Sequence, residues 1–165
     1  MIAKYIFTQG LLYSVIVNAY LFLFMISTSP RVWGYNDYPD EVKNKVPPQT
    51  KKEKSLAALI GVPWIIFSIG FPIFSTYTLK ASLGHEIPFL IAFFNMAVLL
   101  MLVNLGDLVI LDWLIVSKIT PKFVIIPGSA EKDYKDFSHH YKGHVKATII
   151  MMLLSMIMAA VISYI

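Results

Sequence analysis

Histidine and acidic side chains cluster in a short stretch near the C-terminal end of the chain. Three of the four histidines are His139, His140 and His144, and Asp136 stands four residues before His140. Residues four apart share a face of an α-helix, so Asp136, His140 and His144 would form one stripe. Imidazole and carboxylate groups bind zinc and other divalent metals, so the stripe is a candidate metal site, and any further cofactor is unknown. The alternative is that these histidines are solvated or face lipid phosphates.

Two acidic residues lie within or beside an apolar segment. A carboxylate at the centre of a membrane-spanning helix costs about 2.5–3.5 kcal/mol on insertion scales, so Asp107 and Asp112 should be functional or paired. Five residues correspond to about 140° around an α-helix, so both can face one narrow site only if the helix distorts. Asn104 and Asp107, three residues apart, do share a face. The alternative is a structural pairing with Lys118, Arg31 or a histidine.

Other polar and helix-breaking residues fall inside apolar segments. Asn18, Asn95 and Asn104 should form hydrogen bonds between helices, because an unpaired amide is costly in hydrocarbon. Pro63 and Pro72 each follow a glycine by two residues. Such positions in transporters can interrupt a helix and expose backbone groups that bind ions or substrate. The alternative is a kinked helix whose freed carbonyls are satisfied by its neighbours.

The composition predicts an integral membrane protein. Hydrophobic residues make up 57% of the 165 residues and charged residues only 15%, against about 25% charged residues in soluble domains. Four apolar segments are each long enough to cross a bilayer, which needs roughly 20 residues. They lie at about 5–28, 56–79, 88–116 and 147–165. The expected fold is all-α, a single membrane domain over 1–165 that forms a four-transmembrane-helix bundle.

The basic residues predict the orientation of the bundle. Twelve of the fourteen Lys and Arg residues fall in two long loops, at about 29–55 and 117–146. The positive-inside rule therefore places both loops in the cytoplasm, as a small cap, and both termini outside the cell membrane. The net charge of +4 reflects this topology and attraction to anionic lipid, so no nucleic-acid partner is expected.

The loops also carry local signals. Thr50 and Glu53 form a capping box that should start the second long helix. An amphipathic helix is expected over 129–145, after an apolar stretch at 122–128 that should pack on the bundle or lie in the membrane interface. The chain has no cysteine, which excludes disulfides and thiolate metal sites. It also lacks phosphate-loop, dinucleotide-binding and nucleophile-elbow signatures.

Two groups of short motifs carry a resemblance to known proteins. The first comprises Pro30-Arg31-x-Trp33, Asp37-Tyr38-Pro39-x-Glu41 and Val46-Pro47-Pro48-x-Thr50-x-x-Glu53; the second comprises Asp107, Leu111-Asp112-Trp113, Thr120-Pro121-Lys122, Ile126-Pro127-Gly128 and Tyr134-Lys135-Asp136. Together they resemble an uncharacterised family of small four-helix prokaryotic membrane proteins, over most of the chain. The resemblance implies that the two loops form one unit, and it brings no activity.

Three functional hypotheses follow. The first is a non-enzymatic subunit or transport-related module whose cap binds a ligand, partner or anionic lipid, with homo-oligomers or another membrane protein as further partners. Its candidate polar residues are Asp107, Asp112, Asn104, Asn18 and Arg31. The alternative is a membrane-embedded metal-dependent enzyme that uses Asp107, Asp112, Asp136, His140 and His144 on a lipid or prenyl-type substrate. The third is an ion or proton pathway along the second helix, Asn18, Asn104 and Asp107.

Overall fold

The computed structural model describes all residues, 1–165, and its regular elements are helical. In chain order they are α1 (Ile2–Ser27), α2 (Pro30–Trp33), α3 (Asp40–Lys43), α4 (Lys51–Ser82), α5 (Phe89–Gly106), a π-helix (Asp107–Ile119) that continues α5, a 3₁₀ helix (Glu131–Tyr134) and α6 (Ser138–Tyr164). Four helical segments, those of α1, α4, α5 with its π-helix, and α6, are long and apolar enough to cross a membrane. The prediction of an all-α chain with four such segments is confirmed.

Helix α5 forms the centre of the bundle. It packs along both α1 and α6 and supports α4, and it is the most buried of the four long segments, whereas α4 is the least. All three buried amides bond between helices, as predicted. Asn18 donates to the Val103 carbonyl (3.3 Å), Asn95 to Thr76 Oγ1 (2.9 Å) and Asn104 to Thr148 Oγ1 (2.9 Å). These bonds fix the register of α1, α4 and α6 against α5.

Helix α4 is continuous through its two internal prolines. It begins with the predicted capping box: Thr50 Oγ1 accepts from the Glu53 N–H at 3.2 Å, and the Glu53 carboxylate accepts from the Thr50 N–H at 2.7 Å. Pro63 and Pro72 do not divide it into half-helices. Its buried residues all lie in its second half, from Pro72 onward. The first half is held instead by α1 and the first loop: the Tyr20 hydroxyl donates to the Ile60 carbonyl at 2.9 Å, and Arg31 binds Glu53.

The continuation of α5 is a π-helix, not an α-helix. It ends where Thr120 adopts a left-handed conformation (φ 51°) and donates its N–H to the Ile115 carbonyl, five residues back, at 2.8 Å. π-Helical hydrogen bonds are rare and are frequently found at functional sites. Because they join residues five apart, Asp107 and Asp112 come to the same side of the helix. This is the distortion that both carboxylates would need to face one site.

The two long loops pack together at one end of the bundle, and residues 29–50 and 120–137 are called the loop cap below. Tyr38 lies at its centre, fully buried, and its hydroxyl donates to the Val124 carbonyl at 3.1 Å. The surrounding apolar side chains are Val42, Val46, Val124, Ile126 and Tyr134, with Leu111 and Val116 of the π-helix beneath them. A salt bridge between Lys45 and Asp133 (2.6 Å) also joins the loops. The predicted packing of 122–128 on the bundle is confirmed.

Arg31 attaches the first loop to the start of α4. Its guanidinium donates to both carboxylate oxygens of Glu53, at 2.6 and 3.1 Å, and to the carbonyls of Pro47 and Pro48, each at 2.9 Å. These bonds to Glu53 raise the pKa of Arg31 above its ordinary value. The role of Arg31 in this fold is therefore structural.

The predicted amphipathic helix over 129–145 is wrong. Only the 3₁₀ helix and the first turns of α6 are helical in this range, because acidic side chains bond to loop backbone instead. Asp133 accepts from the Ala130 N–H, and Asp136 accepts from the Ser138 N–H, both at 2.9 Å. Helix α6 begins at Ser138 and continues through Gly143 to Tyr164. The histidine cluster therefore occupies the first two turns of the fourth long helix.

Candidate functional site

A polar cavity of about 280 Å³ lies where the π-helix and the start of α6 meet the loop cap. Its polar lining combines carboxylates, imidazoles and one amide: Asp37, Asn104, Asp107, Asp112, His139, His140 and His144. The loop cap contributes Asp37. Helix α5 and its π-helix contribute Asn104, Asp107 and Asp112, and α6 contributes the three histidines. Residues more than a hundred positions apart in sequence thus converge here.

Asp112 is the centre of this group. Its Oδ2 atom lies 3.1 Å from His140 Nδ1 and 2.9 Å from His144 Nε2. Asp112 is 7% exposed and His140 5% exposed, so the contacts are shielded from solvent. A buried carboxylate needs such partners, because an unpaired charge is costly to remove from water. One carboxylate oxygen therefore joins two imidazoles.

Asp37 brings the loop cap into the site. One of its carboxylate oxygens, one of Asp112 and a ring nitrogen of His140 all lie within 4.8 Å of one another. The residue opens to solvent at the mouth of the cavity, where its carbonyl also contacts His139 Nε2 at 3.1 Å. Desolvation of its carboxyl group, and then the nearby Asp112 carboxylate, raise the pKa of Asp37. Sequence reasoning missed Asp37, because no local spacing links it to the histidines.

Asn104 fixes the orientation of His144. Its amide nitrogen donates to Thr148 Oγ1 (2.9 Å) and faces the His144 carbonyl (3.5 Å), which leaves its Oδ1 atom 2.6 Å from His144 Nδ1. A carbonyl can only accept, so this amide orientation is the one that satisfies both neighbours. His144 Nδ1–H therefore donates to Asn104, and Nε2 is directed at Asp112.

Asp107 lines the same cavity but makes no ion pair or hydrogen bond with another side chain. The π-helix turns it to the side occupied by Asp112, one π-helical turn away. Of the predicted structural partners, Lys118 lies over the Trp113 ring (5.0 Å) and Arg31 binds Glu53, whereas the predicted pairing with a histidine is present at Asp112. Asp107 thus presents to the cavity a carboxyl group that has no side-chain partner.

Three of the predicted residues lie outside the cavity. Asn18 bonds within α1 and to α5, and Arg31 holds the first loop. Asp136 is exposed and accepts from the Ser138 N–H, so the predicted stripe of Asp136, His140 and His144 does not form. The stripe required Asp136 to be helical, whereas α6 begins only at Ser138. Asp37 and Asp112 occupy the place beside His140 that was predicted for Asp136.

The polar lining of the cavity does not continue into the neighbouring pocket between α4, α5 and α6. The next pocket along the helices is narrow and mainly hydrophobic, with Met96, Leu100, Leu154 and Met158 in its wall. The Asn95 hydrogen bonds lie beyond it. This arrangement gives no support to an ion pathway through Asn104 and Asp107.

The donor atoms of the site suit a divalent metal. Asp37, Asp112 and His140 offer two carboxylate oxygens and one imidazole nitrogen within mutual reach. Mixed nitrogen and oxygen ligands bind zinc and related ions, and three protein ligands leave a coordination position for water or substrate. The Asn104 contact to His144 resembles the outer hydrogen bond that orients metal-binding histidines. His144 can therefore serve as a fourth ligand or stand beside the metal as a proton carrier.

Comparison of the chain with protein-family models, curated proteins and solved structures finds no match. The resemblance to small four-helix prokaryotic membrane proteins therefore stays a prediction. Function has to be argued from the geometry of the site itself.

Proposed function

We propose that this protein is a four-span membrane protein, with its loop cap in the cytoplasm, that acts as a metal-dependent hydrolytic enzyme. The observation that carries the proposal is the Asp112 carboxylate, buried between His140 and His144 and within 4.8 Å of an Asp37 oxygen. Buried charges in proteins are paired or coordinate metals. Here the group also opens onto a cavity large enough for part of a substrate.

The proposed chemistry assigns a role to each residue. Asp37, Asp112 and His140 would hold the metal, which supplies a bound water whose pKa falls to about 7 and which becomes a nucleophile. His144, oriented by Asn104, would hold or transfer a proton at Nε2. Asp107, on the same wall, would accept a proton from a water or a hydroxyl group in the cavity. The site needs no group from outside the chain except the metal and water.

The non-enzymatic module remains the competing proposal. The rigid packing of the loop cap supports it, since a partner or an anionic lipid could bind that surface without any chemistry. It requires no metal, and it treats the contacts of Asp112 with His140 and His144 as a structural pairing. Metal content therefore separates the two proposals.

The test is the metal content of detergent-purified protein. We expect about one divalent ion per chain in the wild type and in Asp136→Asn, whose side chain can still accept from Ser138. We expect the ion to be lost from His140→Ala. A wild type free of metal, with no thermal stabilisation by added Zn²⁺ or Mn²⁺, would exclude the enzyme and favour the module.

Asn104 provides a test of the orientation of His144. Replacing it with Leu removes the acceptor for His144 Nδ1–H and so releases the imidazole that contacts Asp112, a proposed ligand. Disturbing such outer partners of a ligand typically weakens metal binding about 10–100-fold. Titration of metal into chelator-treated protein would measure the effect. Asn95→Leu is the matched control, because it removes a buried amide from the same helix, distant from the cavity. Equal metal affinities in the two variants would contradict this role for Asn104.

The topology can be tested cleanly because the chain has no cysteine. Single-cysteine variants Glu86→Cys, between α4 and α5, and Lys132→Cys, in the loop cap, expose one thiol each. The proposed orientation predicts that a membrane-impermeant maleimide labels E86C in intact cells and labels K132C only after permeabilisation. The reverse pattern would place the loop cap and the site outside.

A further inference from the structure

The first half of α4 and the first half of α6 diverge from each other on the side of the loop cap. At the far end, the Lys80 ammonium donates to the Ile162 carbonyl at 2.9 Å and ties the two helices together. Towards the loop cap α4 has no buried residue before Pro72, and it contacts α1 and the first loop there, through the bonds of Tyr20 to the Ile60 carbonyl (2.9 Å) and of Arg31 to Glu53. The result is a lateral gap between α4 and α6 at the level of the site.

The cavity of the site extends into this gap. Trp64 of α4 and Ala147 and Met151 of α6 line the same cavity as Asp112 and His140. The indole nitrogen of Trp64 is buried without an acceptor, although such groups normally have a partner. The cavity is thus polar where the carboxylates and imidazoles meet and apolar where it reaches the gap, and Trp64 is among its lining residues.

The surroundings of the gap are apolar along the helices and basic at their ends. Exposed apolar side chains on both helices include Leu59, Val62, Ile149, Ile150 and Leu153. Exposed lysines that form no salt bridge stand at the starts of the same helices, at Lys51, Lys52, Lys54, Lys142 and Lys146. Basic clusters next to membrane-spanning segments attract anionic lipid headgroups. Both features fit a molecule with a hydrocarbon chain and an anionic headgroup.

We propose that the substrate is a membrane amphiphile with a phosphate headgroup, which enters sideways between α4 and α6. This inference rests on the proposed function. A metal held by Asp37, Asp112 and His140 would attract a phosphate oxygen, as divalent ions do. The Trp64 N–H donates to the headgroup or its ester linkage, and the lysines hold the anion at the entrance. The hydrocarbon chain lies past Met151, in the gap and the surrounding lipid.

The test measures binding of photoactivatable phosphatidic acid to metal-loaded protein in maltoside micelles. Two control compounds are used. Photoactivatable diacylglycerol with the same chains lacks the phosphate, and inorganic phosphate, added as a competitor, lacks the chains. We expect phosphatidic acid to label the wild type, diacylglycerol to label it at least about tenfold less, and chelator to abolish labelling. Equal labelling by diacylglycerol, or full competition by inorganic phosphate at equal concentration, would overturn the proposal.

Two variants locate the binding to the gap. Ala147→Trp fills it and should lower labelling about tenfold or more, while Ala58→Trp, on the exposed surface of α4, should leave it unchanged. Trp64→Phe keeps an aromatic ring but removes the donor, and should weaken binding about fivefold. If Ala147→Trp is unstable, the labelling of Trp64→Phe tests whether the lipid binds in the gap.

The metal content of each sample separates the two proposals. Equal labelling of the metal-loaded wild type, Ala147→Trp and Trp64→Phe would overturn the proposal of a lipid substrate. It would leave the proposal of a metal-dependent enzyme intact. Protein that binds no metal would overturn both.

Discussion

Asp112→Asn is expected to abolish metal binding while the protein stays folded. The substitution removes the negative charge that one oxygen presents to both His140 Nδ1 (3.1 Å) and His144 Nε2 (2.9 Å). An amide oxygen is a much weaker metal ligand than a carboxylate, so the affinity should fall by more than the roughly 100-fold seen for outer partners. The Asn side chain retains an oxygen acceptor for one imidazole, which limits the loss of stability.

The measurement is a titration of Zn²⁺ or Mn²⁺ into chelator-treated protein, with circular dichroism to establish the fold. Asp107→Asn is the matched control. It removes a carboxylate from the same cavity wall, and Asp107 is not one of the proposed metal ligands. Only its long-range charge is lost, so affinity should fall about tenfold or less. Metal binding by Asp112→Asn at wild-type strength would show that the ion binds elsewhere.

Tyr38→Ala is expected to destabilise the protein by about 3–5 kcal/mol, the range for deleting a large buried aromatic side chain. Tyr38 is 0% exposed, and its ring makes edge contacts with Trp33 and Tyr134, at centroid distances of 5.7 and 4.8 Å. The centroid of its ring also lies 6.4 Å from that of the His140 ring. Its removal therefore separates the two loops and releases Asp37, the adjacent residue, from the site.

Denaturant unfolding in detergent would measure this loss, and metal titration would report its effect on the site. Tyr38→Phe keeps the ring and loses only the hydrogen bond to Val124, so it should cost about 1 kcal/mol. Tyr141→Ala, at an exposed position on α6, should change stability by about 0.5 kcal/mol or less. Equal stabilities of Tyr38→Ala and Tyr141→Ala would contradict the described packing of the loop cap.

Features that depend on neighbouring residues could be predicted from the sequence. The four long apolar helices follow from segment length and hydropathy, and the start of α4 follows from the capping box of Thr50 and Glu53. The three interhelical amide bonds follow from the cost of an unpaired amide in an apolar environment. The packing of 122–128 also follows, since so apolar a stretch has to be covered. In each case a local sequence pattern and one unfavourable free-energy term are enough to predict the feature.

Features of the site that depend on distant contacts could not be predicted. The π-helix has no local sequence signature, yet it brings Asp107 and Asp112 to one side. Asp37 joins the site only because Tyr38 is buried between the loops. Asp136 was misplaced because its carboxylate binds the Ser138 N–H, and this bond helps to set where α6 begins. The sequence thus identified Asp112, His140 and His144 but not the third proposed ligand, Asp37.

The most direct test of the metal centre is X-ray absorption at the edge of the metal found in the purified protein. The proposed site predicts a first shell of mixed nitrogen and oxygen atoms at about 2.0–2.2 Å, with the outer scattering typical of imidazole, which disappears in His140→Ala. A shell of oxygen atoms alone, without imidazole scattering, would contradict the account. It would show an ion held at another place in the protein.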